Sequence, residues 1–258
     1  MKEKVSYKRP IMFSILLGLL LILCITVASA IAVALELTDI GVLVAQGLAF
    51  LFVAIIITLY MKNGKRSLSE FGFEKLNISK SKEVLYYIPL LVIALVHPLI
   101  GGFDTDLKII EVFIILIFAF LVGYTEESIF RGIIKKKLEF KGKIYFIVFS
   151  STFFGILHVA NAFSGKNLTS VILQVVNAFL VGLILSTLIT IVHNIIPLIA
   201  FHFLYDALAL MTNSSISEKE TLVLIVLTTL YTLYGIYLIF KLKQSLRLSK
   251  IQFKDQRV

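Results

Sequence analysis

Apolar residues along this chain gather into long runs separated by short polar stretches. Eight runs can be read, at residues 11–35, 41–61, 84–101, 109–125, 144–160, 171–192, 195–212 and 221–240. A helix of about 20 apolar residues, rising 1.5 Å per residue, crosses some 30 Å of hydrocarbon. The shorter runs, such as 144–160, stand near the lower limit for a crossing helix. The pattern predicts an all-α, polytopic membrane protein of about eight transmembrane helices. At the N-terminus, Met1 to Pro10 is basic, Ile11 to Val27 is apolar and Ala28-Ser29-Ala30 has the form of a signal-peptidase site. The apolar run continues to Leu35, however, which is long for a signal peptide and right for a retained spanning helix.

Composition supports the same class. The chain has 258 residues, of which 59% are hydrophobic, and its mean hydropathy is +0.97. A soluble domain cannot hide that much apolar surface, so its solvent is lipid. The net charge of +9 would suit a nucleic-acid binder, but no nucleic-acid partner is expected because the cations cluster in loops beside apolar runs. Lys2, Lys4, Lys8 and Arg9 precede the first run; Lys62, Lys65, Arg66, Lys75, Lys80 and Lys82 follow the second; Arg131 to Lys143 follow the fourth; and Lys241 to Arg257 form the tail. Intervening loops carry Glu36 and Asp39, Asp104 and Asp106, or Glu218 and Glu220. Every second loop is basic, which places both termini in the cytoplasm. The loop His193-Asn194 is too short to contribute. The single Cys24 excludes an intramolecular disulfide. No internal repeat is visible. Leu68 to Leu76 alternates polar and apolar residues without the length to span, and reads as either an interfacial segment or a solvated linker. The tail after Phe240 reads as a surface helix or a disordered segment.

The chemistry-bearing stretch is Gly123-Tyr124-Thr125-Glu126-Glu127-Ser128-Ile129-Phe130-Arg131. It closes a run that is apolar apart from Glu111, where hydrocarbon should give way to headgroups. Ionisable groups at such depth are costly unless paired or hydrated. On a helix Glu127 and Arg131 are i,i+4 and can pair, while Glu126 points about 100° away and is left free for chemistry. The polar groups that can meet it are His158 in the fifth run, and His202 with Asp206, an i,i+4 pair in the seventh. Glu126 and His158 each lie about 24 Å from the turn near Lys141, so an antiparallel hairpin sets them level. His202 lies only about 12 Å from its own turn, and the levels match if the first hairpin projects some 12 Å farther into the cytosol.

Blander roles exist for each of these groups. A lone intramembrane histidine often serves helix packing, Asp206 can hold His202 in one tautomer, and Glu127 with Arg131 reads as structural. His97, next to Pro98, and His193, in a turn, read as structural and solvated, respectively. Asn161, Gln174 and Asn177 suit interhelical contacts, and tyrosines near run ends, among them Tyr86, Tyr87, Tyr231, Tyr234 and Tyr237, suit interface anchoring. The coincidence of Glu126, two histidines and Asp206 favours a site. A glutamate can take a proton from water with a histidine sharing the work, and a second histidine can stabilise an oxyanion. Alternatively, His158, His202 and Asp206 are suitable ligands for a zinc ion that activates water. No serine or cysteine nucleophile joins the group, Ser128 having no reason to be activated. Water-mediated hydrolysis of a peptide bond in a membrane cavity is the reaction class that follows.

Glu126-Glu127-x-x-x-Arg131, Phe154-x-x-x-His158 and His202-x-x-x-Asp206 resemble the three motifs of the CPBP family, the CAAX-processing and bacteriocin-processing (Abi) intramembrane proteases. The resemblance covers roughly residues 109–210, with Leu68 to Leu76 similar to the lead-in before that core. It implies Glu126 as general base helped by His158, Glu127 with Arg131 as a structural pair, and His202 with Asp206 as an oxyanion or metal site. Family members are described both as metalloproteases and with a metal-free glutamate mechanism, so zinc is one of two alternatives. The third motif often ends in Asn where this chain has Asp206, and Asp206 is expected to orient His202. The organisation expected is residues 1–108 as N-terminal helices with a cytoplasmic interfacial segment, 109–210 as the catalytic core, and 211–258 as the last helix and basic tail. Expected partners are membrane lipid and a peptide or lipidated-protein substrate. The Lys- and Ile-rich, Trp-free composition suits a low-GC bacterium, hence a bacterial plasma membrane and a role in pheromone or bacteriocin maturation or self-immunity. Two rival classes are a catalytically idle immunity or regulatory partner, and an ion-coupled transporter, against which the lack of a repeat speaks.

Overall fold

The structure, a computed structural model, describes residues 9–64, 66–75, 84–160, 168–213, 216 and 219–255. All eight apolar runs are helical. They form α1 (Pro10–Ala34), α2 (Asp39–Lys62), α3 (Leu85–Gly101), α4 (Ile109–Lys141), α5 (Lys143–Ala160), α6 (Leu168–Val192), α7 (Ile196–Leu210) and α8 (Glu220–Asp255). Six of these are long and apolar enough to cross a membrane, whereas α3 and α7 are shorter. The break in α3 falls at Leu95, between the helical pieces Ile88–Ala94 and Val96–Gly101. Pro98 has no N–H to return to the carbonyl of Ala94, which interrupts the ladder there. The all-α polytopic membrane class holds, with no strand among the described residues beyond one isolated bridge between Phe103 and Thr212. That bridge, with Asp104 N–H donating to the Met211 carbonyl (2.9 Å) and Asn213 N–H to that of Gly102 (3.0 Å), ties together the loops that follow α3 and α7.

Two boundaries differ from the sequence expectation. The fourth helix does not end near residue 125 but runs 33 residues to Lys141, with a π-helical turn at Ser128–Ile133. The polar cluster that suggested a boundary is enclosed by protein, with Thr125, Glu127, Ser128 and Arg131 all at 0% exposure, so it gives no signal to stop. The tail is likewise continuous, as α8 extends unbroken from Glu220 to Asp255. Tyr231 and Tyr234 are buried rather than interfacial, whereas Tyr237 is 46% exposed. Asn177 does link helices, donating to the Leu173 carbonyl and accepting from Thr228 on α8 (3.3 Å). Asn161 lies outside the described residues.

The overhang required to level the site is present. A Cβ on Gly132 would lie 3.3 Å from the Phe71 carbonyl and 3.6 Å from Ile195, so this point of α4 is level with the start of α7. The nine or so residues beyond it project about 13 Å farther. The segment around Leu68–Phe71 docks in the resulting step. It is a 3-10 turn with a capping box, in which Glu70 accepts from Ser67 N–H (3.1 Å). Phe71 is buried, Gly72 adopts φ +90°, and its carbonyl accepts from Ile195 N–H at 2.8 Å. Glu70 also pairs with Lys136 of α4 (3.2 Å). The Ser67 hydrogen bond, then Lys136, hold the Glu70 carboxyl below its ordinary value. A carboxyl lowered on folding contributes stability above the ordinary carboxylate range and loses it as pH falls through the lowered value. Amide-exchange protection of residues 68–72 should therefore drop on acidification through that range, and Glu70→Gln should remove the pH dependence.

Candidate active site

Packing between α4 and α7 brings the predicted residues together. A Cβ on Gly123 would stand 3.0 Å from Phe203 N, 3.2 Å from the Ile199 carbonyl and 3.3 Å from His202 Cβ. Only glycine lets the two backbones approach so closely, and the approach sets His202 against the next turn of α4. Its Nδ1–H donates to Glu127 Oε1 at 3.0 Å, the same oxygen that accepts from Arg131 Nη1 at 3.0 Å. His202 Nε2 lies 3.6 Å from Glu126 Oε2 and 3.5 Å from Asp206 Oδ2. One imidazole thus joins three carboxylates. Replacing Gly123 by Val should push α7 away and lengthen these contacts. A misplacement of about 1 Å costs on the order of 100-fold in rate, so turnover should fall by that order while the purified protein remains folded by circular dichroism.

The two glutamates part company in solvent access. The side chain of Glu127 is 0% exposed and that of Glu126 14%, so one is sealed into an ion pair and the other is partly accessible. Arg131, itself fully buried, lies over the Phe154 ring at 4.7 Å and donates to the Gly182 carbonyl at 3.5 Å. It thereby binds α4 to α5 and α6. The π turn that begins at Ser128 lies directly after the carboxylates, a placement such widened turns often take at functional sites. Ser128 is buried with no hydrogen-bond partner for its hydroxyl among the described residues.

His158 follows the α-helical part of α5. Its Nδ1 is 2.9 Å from the Phe154 carbonyl; a carbonyl only accepts, so Nδ1 carries the hydrogen and neutral Nε2 is an acceptor. The Phe154 ring lies between the histidines, 4.8 Å from His158 and 6.4 Å from His202. His158, His202 and Asp206 share the wall of a cavity of about 650 Å³, which also reaches His97, Asn177 and Tyr231. All six residues singled out by the sequence, Glu126, Glu127, Arg131, His158, His202 and Asp206, are thus at this site, five of them in one polar cluster and His158 beside it.

Sequence reasoning missed three features. The shortest contact of His202 is to Glu127, not to Asp206, so Glu127 does more than pair with Arg131. Gly123, one residue before Tyr124, makes the close approach possible. His97 packs edge-on against Tyr205, with Nε2 3.3 Å from the hydroxyl; the signal was a tyrosine inside the His202-x-x-x-Asp206 motif, one residue before its end. For the zinc alternative, no three His, Cys, Asp or Glu side chains among the described residues converge in a way that would hold a metal ion. Both ring nitrogens of His202 already face carboxylates. The donors as arranged do not fit a metal site.

An all-α membrane protein with a carboxylate–histidine–arginine cluster beside an internal cavity has the architecture of an intramembrane enzyme. Residues 108–208 match a family model described as Rce1-like, the type II CAAX prenyl endopeptidase Rce1-like family. Over this segment, which is less than half of the chain, the protein is similar to the CAAX proteases, and that similarity supports CAAX-type intramembrane endopeptidase activity in general. No curated protein and no solved structure matches the chain.

Proposed function

We propose that the protein is an intramembrane endopeptidase in which Glu126 activates water against a peptide bond of a membrane-associated or lipidated substrate. The observation that carries this reading is the contrast between adjacent carboxylates, Glu127 sealed by Arg131 and His202, Glu126 partly accessible and outside that ion pair. Glu126 takes a proton from water as the oxygen attacks the scissile carbonyl carbon. The acceptor Nε2 of His158 helps orient that water. A hydrogen on His202 Nε2, held in place through Nδ1 and Glu127, stabilises the oxyanion. The intermediate collapses, the C–N bond breaks, and Glu126 returns the proton to the leaving amine. In a bacterial membrane such an activity would mature a peptide pheromone or bacteriocin, or protect its producer.

The experiment is cleavage of quenched membrane-peptide substrates by protein purified into nanodiscs, with and without chelator. Cleavage that survives chelation is expected; cleavage lost to chelator and restored by zinc would replace this mechanism with a metal-based one. A cellular phenotype that persists unchanged in Glu126→Ala would instead make the protein an immunity or regulatory partner that acts by binding. Asp206→Asn keeps the size and hydrogen-bonding capacity of residue 206 but removes its charge. Because Glu127 already fixes His202 through Nδ1, this variant should retain activity within about tenfold, the scale of a single modest polar contact. Loss as deep as that of a Glu126 variant would show a required negative charge at Asp206.

A further inference from the structure

A serine or threonine hydroxyl inside a helix commonly bonds the carbonyl one turn back. On α6 Thr187 donates to the Leu183 carbonyl and Thr190 to that of Ser186, both at 2.7 Å. Ser186 departs from this pattern. It is 0% exposed, yet its hydroxyl has no hydrogen-bond partner among the described residues. The carbonyl it would take, that of Gly182, is the one that Arg131 Nη2 reaches from α4, at the long distance of 3.5 Å. Arg131 has the complementary gap. It is fully buried, its Nη1 donates to Glu127, and its Nε has no partner among the described residues. Gly182 and Ser186 are i,i+4 and share one face of α6. Two unpartnered groups thus stand on facing turns, one an N–H of fixed direction and the other a hydroxyl. Glycine and serine are both small, which leaves space beside the guanidinium.

We infer that one water molecule is bound between α4 and α6, accepting from Arg131 Nε–H and the Ser186 hydroxyl and donating to the Gly182 carbonyl. It is the hydroxyl-to-carbonyl link that Thr187 and Thr190 make directly, with a water inserted and the guanidinium as a third partner. A buried donor without a partner loses its hydration for no return, and the hydrocarbon around the bundle supplies no substitute. Buried waters typically make about three hydrogen bonds to such groups, the number offered here. Turning the Ser186 hydroxyl onto Gly182 would serve the serine alone. Nε would stay unpartnered, because the planar guanidinium is held over the Phe154 ring at 4.7 Å. The water steadies the edge of Arg131 that faces α6, while Nη1 holds Glu127 and Glu127 holds His202. This inference does not depend on the endopeptidase reading.

Ser186→Ala tests the inference by the sign of its effect on the full-length protein in detergent. Removing a hydroxyl that binds nothing relieves a cost and leaves the thermal midpoint unchanged or higher, whereas removing one partner of a shared water strands the others and lowers it. A lower midpoint is expected, and an unchanged or raised one would overturn the inference. The double variant Arg131→Met with Glu127→Met supplies the second arm. There the guanidinium is gone, so Ser186→Ala should lose most of its effect; a loss as large as in the native background would show two independent sites. A density map that resolves ordered water gives a readout free of mutation. It should show one density within hydrogen-bond distance of both Arg131 Nε and Ser186 Oγ in the wild-type protein. A map of that quality with no such density, or with the two side chains in direct contact, would overturn the inference even if every variant failed to fold. None of these readouts requires turnover, so a protein that cleaves no peptide would sink the endopeptidase reading and leave the water site standing.

Discussion

Glu126→Gln should lower kcat by about 10²–10⁴-fold, the usual contribution of a positioned general acid–base, without unfolding the protein. The substitution keeps the shape of the side chain and its reach toward His202 Nε2, 3.6 Å away in the native arrangement, but an amide cannot accept the proton that water must lose. Because Glu126 takes no part in the sealed Arg131 pair, the thermal midpoint should move little. The informative comparison is Glu127→Gln, one residue on. That change removes the charge between Arg131 and His202, both 3.0 Å from the same oxygen, and should reduce stability as well as rate. If Glu127→Gln abolished cleavage with no change in stability while Glu126→Gln stayed active, the two roles assigned here would be reversed.

Arg131→Met should be the most destabilising single substitution at the site. Arg131 and Glu127 are both fully buried, and breaking a buried pair by removing one partner costs about 3–5 kcal/mol because the other charge is stranded. Glu127 Oε2 has no hydrogen-bond partner among the described residues, so only His202 would remain to compensate. The substitution also removes the guanidinium stacked over Phe154 at 4.7 Å, loosening α5 at the turn before His158. Lysine should not rescue, since a single ammonium cannot serve Glu127 and the Gly182 carbonyl while stacking on a ring. Thermal unfolding in detergent measures the effect. The control is the double variant Arg131→Met with Glu127→Met, which removes both charges and should be more stable than Arg131→Met alone. An unchanged midpoint for Arg131→Met would show that the pair contributes no net stability.

The helical runs and the site residues were legible in the sequence for one reason: lipid forbids unpaired polar groups, so each ionisable residue inside an apolar run stands out. Glu126, Glu127, Arg131, His158, His202 and Asp206 were visible on that ground, and the arm lengths on either side of the turn near Lys141 required the overhang that α4 displays. That protein encloses the cluster was not legible. A row of polar residues after an apolar run looks like the membrane edge, and only packing against α5, α6 and α7 turns that stretch into a protein interior. Nor could spacing reveal that Glu127 serves His202, because a contact between α4 and α7 depends on how closely two backbones approach at Gly123. The docking of Phe71 belongs to the same class, since an alternating segment fits a surface or a linker equally well until the step it fills is known.

What the sequence by itself determined is therefore the solvent, the number of helical segments and the identity of the polar groups, because these follow from the cost of placing each residue in hydrocarbon. Tertiary structure decided which carboxylate is sealed into the ion pair and which nitrogen of His202 each one meets. Those follow from differences of a few tenths of an ångström in how closely helices approach, to which hydropathy is blind.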